Sequence, residues 1–457
     1  MKVLDLFAGA GGMALGFKAA GFGCVGAVER DAAAARSFEF NVADEDTRVF
    51  GGPAEGDVNG LPVEELLSGL SGKPDIVVGG PPCQGFSRVG RAKQASLLDD
   101  DLRVLRGGVR DPNRNQLYRY FLGVVARAEP LAFVMENVPG MREMLGIDHA
   151  GRIAREAAAL GYNVRYFLLN AAWYGVPQDR WRLFFVGFRA DLGPRAIPTP
   201  PRRQYRSGGR ALEGAAVAED RWMIWGDGIP TAARLKAPVT TYDALADLPR
   251  LTGHLSGSGV QGRRPVERRL PYRRRPSEWA RRMRSWPFLE PMKRNTVSGN
   301  WYRWTERDFE TFSRMANGDR YPAALRIAGQ RYREALEADP GADPTSLRKS
   351  IVPPYRNDAF VDKWRKLDPD APSWTLTAHL GKDTYSHIHY DSRQARTITV
   401  REAARLQSFP DAFEFQGNMG DRYRQVGNAV PPLLSRALAE QLKRQLTALG
   451  VDSAVAA

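Results

Sequence analysis

Residues 2–17 read KVLDLFAGAGGMALGF, and this stretch sets the fold. An apolar run ends in a turn containing Gly9, Gly11 and Gly12, and a helical pattern follows. A strand–glycine turn–helix lets backbone approach a ligand closely and aims helix N–H groups at it. About 20 residues further on, CVGAVE ends at Glu29, placed to accept hydrogen bonds from a ribose diol. A further acid, Asp57 in EGDV, is expected at the end of a third strand, facing an adenine edge. Together they predict a nucleoside-containing cofactor. The spacing alone does not separate NAD from S-adenosylmethionine.

Outward from that turn the alternation continues. CVGAVE, PDIVVGG, LAFVMEN, NVRYFLLNA and RLFFVGF are short apolar runs, separated by helical stretches such as AAAARSFEFNV and NQLYRYFLGVVARA. Strands apolar on both faces belong to a sheet covered by helices, so residues 1–189 read as a doubly wound, Rossmann-like α/β domain with a parallel sheet. After residue 190 the texture turns to Pro, Gly, Ser and Arg, and residues 190–395 read as a second, smaller and less regular domain. Residues 396–457 return to the first, ending in VPPLLSRALAEQLKRQLTAL, an amphipathic helix with prolines at its start.

Composition narrows the function. With 43% hydrophobic and 26% charged residues the chain matches soluble globular proteins, and no apolar run reaches the roughly 20 residues of a membrane span. No signal-peptide core is visible and two cysteines make no disulfide framework, so a cytoplasmic location without membrane attachment is expected. A net charge of +14, mostly arginine, favours a polyanionic partner, nucleic acid before membrane.

Three strand ends carry chemistry. Cys83, in GGPPCQGFS, follows PDIVVGG behind two prolines, at the sheet edge where α/β folds bind ligands. Taken alone it fits a nucleophile or a small buried hydrophobe equally; Cys24 fits the second role better. Glu136 ends the apolar strand of FVMENVPGM, where burial would raise its pKa and fit it to donate a proton. Arg180 and Arg182, at alternate positions of QDRWRLFF, share a face. A helix cap would explain Glu136 alone and a solvated edge the arginines alone; the set reads better as a site.

The blocks DLFAGAGG, AVER, GDV, GGPPCQGFS, ENVPGM, QDRWR, RTITVREAARLQSFP (396–410) and YRQVGNAVPP (423–432) occur in an order that resembles the bacterial-type DNA (cytosine-5-)-methyltransferase family. The resemblance implies that Cys83 adds to C6 of a cytosine flipped out of duplex DNA. Glu136 would protonate N3, Arg182 would hold O2 and Arg180 would support the site. S-adenosyl-L-methionine is the implied cofactor, contacted by Phe7, Gly9, Gly11, Gly12, Glu29, Asp57, Val58 and Pro82, with Asn428 and Val430 closing over it. The stretch after Cys83 resembles the family's mobile catalytic loop, in which Gln84, Ser87 and Arg88 would meet DNA.

The family's target-recognition segment would here be residues 190–395, which match no block. Its cluster at 262–286 interleaves arginines with Tyr and Trp, and Arg273, Arg274 and Arg275 are expected to contact DNA. His387 and His389, in SHIHYD, have the alternation of a polar or phosphate-facing strand; without a partnering cysteine cluster no metal site is expected. The partners implied are double-stranded DNA and cognate restriction or defence proteins, with the chain a monomer. A tRNA cytosine methyltransferase is a second reading, opposed by the long basic middle. A catalytically silent DNA-binding scaffold is opposed by the intact Cys83, Glu136, Arg180 and Arg182, and an NAD-dependent enzyme would leave the late GNAVPP block unexplained.

Overall fold

A computed structural model of the chain describes residues 1–82, 117–144, 147–206, 223–224, 228–255, 268–289, 295–354 and 363–451. The apolar runs become strands: β1 (Lys2–Leu6), β2 (Gly23–Glu29), β3 (Arg48–Gly51), β4 (Ile76–Gly79), β5 (Ala132–Asn137), β6 (Tyr162–Asn170), β7 (Trp181–Arg189) and β8 (Met223–Ile224). They join one sheet in the order β8-β6-β7-β5-β4-β1-β2-β3. From β3 through β5 every neighbour is parallel. β7 runs antiparallel to both β5 and β6, a departure from the expected all-parallel sheet. Its reversal brings the start of β7 to the same sheet edge as the end of β5, with Phe184 opposite Glu136.

The sheet is covered as its two apolar faces require. Helices Leu117–Ala128 and His149–Ala159 pack on it, burying Phe121, Val124, Ile153 and Ala154 with Leu4, Val77, Phe133, Leu168 and Phe185. Helix α1 (Gly12–Ala19) follows the glycine turn, and α2 (Ala32–Asn41) is capped by Asp31, whose Oδ1 accepts from the Ala33 and Ala34 N–H groups. The amphipathic helix expected near the C-terminus forms at Pro432–Ala448 and lies against α1. Ser435 Oγ donates to Met13 O at 2.7 Å, and a methyl added at Gly16 would stand 2.5 Å from Arg436 N.

Contacts divide the chain into Met1–Pro238 with Ala429–Ala457, and Val239–Asn428. Neither boundary coincides with 189/190 or 395/396. Residues 190–238 group with the sheet because Gln445 Nε2 donates to Ile197 O, Tyr174 OH donates to Pro201 O, and β8 adds to β6. Residues 396–428 group with the second unit because their arginines are its internal ties. Arg405, fully buried, holds Asp411 with both arms (2.5 and 2.6 Å) and donates to Asp247 and to Ala244 O. Arg396 forms a bidentate pair with Glu402 at 2.7 Å, and Arg401 donates to the carbonyls of Ser298, Pro410 and Phe413. Phe309, Phe312, Tyr321, Trp364 and Ile388 form an apolar cluster in this unit.

Candidate active site

The glycine turn leaves β1 through left-handed backbone: φ is +57° at Phe7 and at Gly9, and +92° at Gly11. At Gly11 a side chain is excluded twice, by that φ and because an added methyl would sit 2.8 Å from Phe38 and from Val42. At Gly9 an added methyl meets nothing within 4 Å, so this side of the turn faces open space. Gly12 opens α1. Glu29, at the end of β2, is fixed by accepting from Gly9 N–H (2.8 Å) and Asp31 N–H (2.6 Å). Burial raises its pKa, and those two N–H donors work against the rise. A carboxylate carries about four acceptor sites, so two remain for other donors.

Sequence reasoning passed over Asp5. Its side chain is 1% exposed, and Oδ2 accepts from Ala14 N–H at 3.1 Å in the first turn of α1. Burial, with the Glu29 charge as a smaller contribution, pushes its pKa up to about 8. The signal was legible: a carboxyl group interrupts the apolar run VLDLF of a buried strand. Asp57 is not at a strand end as expected, because the short helix Gly52–Glu55 separates it from β3. It meets Arg30 instead, 3.3 Å from Arg30 Nε to Asp57 Oδ2, which brings it to the end of β2. Val58 is half-buried against the sheet's core.

At the other end of the site β4 runs through Gly79 into Gly80 and two prolines. Asn137 Nδ2 donates to Pro81 O at 3.0 Å, tying this segment to the end of β5, and Pro82 is exposed. Cys83, Gln84, Ser87 and Arg88 lie outside the described residues. Glu136 packs against the segment that leads to them: a methyl on Gly80 would stand 3.1 Å from Glu136 Oε2. Its Oε1 is 2.8 Å from Arg182 Nε. Burial raises the Glu136 pKa, while Arg182 and then Arg180 pull it down. Arg180 is 1% exposed and donates from Nη2 to Ala429 O at 3.1 Å; Arg182 donates from Nη1 to Trp181 O at 2.7 Å. Burial, the largest influence on each, lowers both guanidinium pKa values. Neither arginine is on a solvated edge. Two cations facing one carboxylate leave an excess of positive charge, so the pocket suits an electron-rich group.

The remaining expected residues divide. Asn428 is the exposed last residue of the helix Met419–Asn428, and Val430 is buried, 7% exposed. Arg273, Arg274 and Arg275 are all exposed, and Arg274 Nη1 donates to Tyr242 OH at 2.7 Å. His387 and His389 do not face phosphate: both are buried, and burial first of all depresses their pKa values to about 3 and about 4. His387 Nδ1 is 2.9 Å from Ser386 Oγ and its Nε2 3.2 Å from Trp374 O, while His389 Nδ1 accepts from Asp391 N–H. Their alternation serves packing.

The family described as C-5 cytosine-specific DNA methylase matches residues 1–244 and 275–444. A protein of Oceanobacillus iheyensis that carries a type II methyltransferase name is 36% identical over 97% of this chain and 96% of its own. The type II methyltransferase M.AgeI of Thalassovita gelatinovora is 33% identical over 97% and 99%. Among solved structures, a prophage-encoded E. coli protein described as a DNA modification methyltransferase superposes with a TM-score of 0.62 at 22% identity, covering 98% of this chain and 99% of that one, a likeness of fold. The match across both units, together with the blocks of the site, means that this chain belongs to the C-5 cytosine-specific DNA methylase family.

Proposed function

We propose that the chain methylates C5 of a cytosine flipped out of a specific duplex DNA sequence, through a covalent bond between Cys83 and C6, in a restriction-modification or other defence system. The observation that carries the proposal is the Glu136–Arg182–Arg180 group, buried against Gly80 three residues before Cys83. A cytosine edge offers N3 and O2 as acceptors. Glu136 delivers a proton to N3 as the Cys83 thiolate adds to C6, so that C5 becomes nucleophilic. Arg182 donates to O2, and Arg180 holds the positive charge in place through Ala429 O. Loss of the C5 proton then expels the Cys83 sulfur and restores the aromatic ring. The relatives' type II names favour the restriction-modification setting.

The residues present fit S-adenosylmethionine. Gly9 opens onto free space, and Glu29 is locked in position with acceptor capacity left for ribose hydroxyls. Asp57 at the end of β2, with Phe7, Gly11, Gly12, Val58, Pro82, Asn428 and Val430, would complete the contacts. When bound, this cofactor supplies an electrophilic methyl group. The extrusion of the base costs a few kcal/mol, recovered by contacts in the pocket. Arg273, Arg274 and Arg275, with Gln84, Ser87 and Arg88, would hold the DNA.

The test is methyl transfer from labelled S-adenosylmethionine to unmethylated genomic DNA and, in parallel, to total tRNA, with 5-methylcytosine mapped at base resolution. Label in DNA within one short sequence context is expected. Label in tRNA alone would refute the DNA assignment. Cys83→Ser is expected to abolish transfer while cofactor binding persists, and retained turnover would overturn the covalent role.

A further inference from the structure

The turn after helix Glu278–Arg284 holds a feature that methyl transfer does not use. Phe288 has φ +59°, a left-handed conformation that residues with a β-carbon rarely hold, and its ring is 44% exposed. Strain of this kind persists only where the surroundings over-determine it. Here they do. Trp286, two residues earlier, is 3% exposed and anchors the turn. Arg284 donates to Asp247 Oδ2 (2.6 Å) and lies 3.5 Å over the Tyr272 ring, so the helix is bolted to the same carboxylate that Arg405 holds. A turn so well supported spends its conformational strain on presenting an apolar ring to water.

The chain around it is strongly basic. From residue 273 to 288, Arg273, Arg274, Arg275, Arg281 and Arg282 are exposed, against one acid, Glu278. Tyr242, itself 43% exposed, accepts from Arg274, and Ser277 Oγ donating to Asp243 O ties its helix, Thr241–Leu245, to this stretch. Charge of this density selects a polyanion, and a flat ring among cations finds its partner in a base stack.

We propose that Phe288 is a wedge that enters the bound duplex and unstacks a base step, while the neighbouring arginines grip phosphates. The proposal rests on the DNA substrate argued above. Unstacking one step also lowers the cost of turning a nearby cytosine out of the helix.

The experiment uses the full chain and a short duplex containing the site mapped from genomic DNA. Phe288→Ala is expected to weaken binding about tenfold, the scale of one lost stacking contact. The salt dependence should not change, because no phosphate contact is lost. Ligation of nicked plasmid around the wild-type protein is expected to shift linking number, Phe288→Ala to remove most of that shift, and Phe288→Tyr to keep it. Phe288→Gly is expected to melt above Phe288→Ala: neither has the ring, and only glycine relieves the left-handed backbone. A wild-type protein that methylates DNA without shifting linking number, or a Phe288→Ala variant that binds and unwinds like wild type, would overturn the wedge and leave the methyltransferase reading standing. A wild-type protein that methylates no DNA would overturn that reading instead.

Discussion

Glu136 is pulled two ways, and the balance sets its use. Burial raises its pKa and two guanidinium groups lower it, with burial ahead, so its protonated form persists to higher pH than in a solvated glutamate. A proton on Glu136 is needed for delivery to N3, so the rate is expected to fall as pH rises through that raised pKa. Glu136→Gln keeps a hydrogen-bond donor but cannot give up a proton. It should lower kcat about 10²- to 10⁴-fold and erase that alkaline loss from the kcat/KM profile. Asp5 makes a second, separable prediction. Its carboxyl has a pKa near 8 folded and near 3.8 in the unfolded chain, so the folded state keeps the proton between those values. Stability therefore falls as pH rises across that window. Urea unfolding at pH 5.5 and 8.5 should show a loss of roughly 3 kcal/mol in the wild type that is largely missing in Asp5→Asn.

Among the elements, strands longer than about five residues were readable from apolar runs alone, because both sheet faces are covered. β3 was not, since RVFG is too short to stand out between Asp46 and the glycines that follow. The reversal of β7 was also hidden: a strand buried on both faces carries no mark of its direction. That reversal explains how the expected site assembled at all, because it puts Arg182 and Glu136 at one edge. The late arginines misled in the opposite sense, since Arg396, Arg401 and Arg405 look like DNA contacts in sequence but tie helices together inside the second unit. The pairing of α1 with Pro432–Ala448 gives a prediction at this scale. Gly16→Ala drives a methyl to 2.5 Å from Arg436 N, backbone that cannot swing away. It should cost about 1–3 kcal/mol, visible as a lower Tm.

For the molecule as a whole, a surplus of +14 charges has to meet its partner through phosphates. Binding to duplex DNA should weaken about 10³- to 10⁵-fold between 50 and 200 mM salt if six to ten phosphates are contacted. Fluorescence anisotropy across that range checks it, and a flat response would remove DNA from the account. The Pro-rich stretch 190–238 had no periodicity from which its place in the first unit could be told, whereas residues 429–457 announced theirs with an apolar-faced helix. The first unit is therefore written in two instalments, with the whole of 239–428 between them. On the ribosome, at about 5–20 residues per second, the partner helix for α1 is finished roughly 10 to 40 s after Pro238. Until then α1 and the strand behind it wait with an apolar flank bare, so the nascent chain depends on chaperones for that interval, and its capacity to modify DNA switches on only at the close of synthesis.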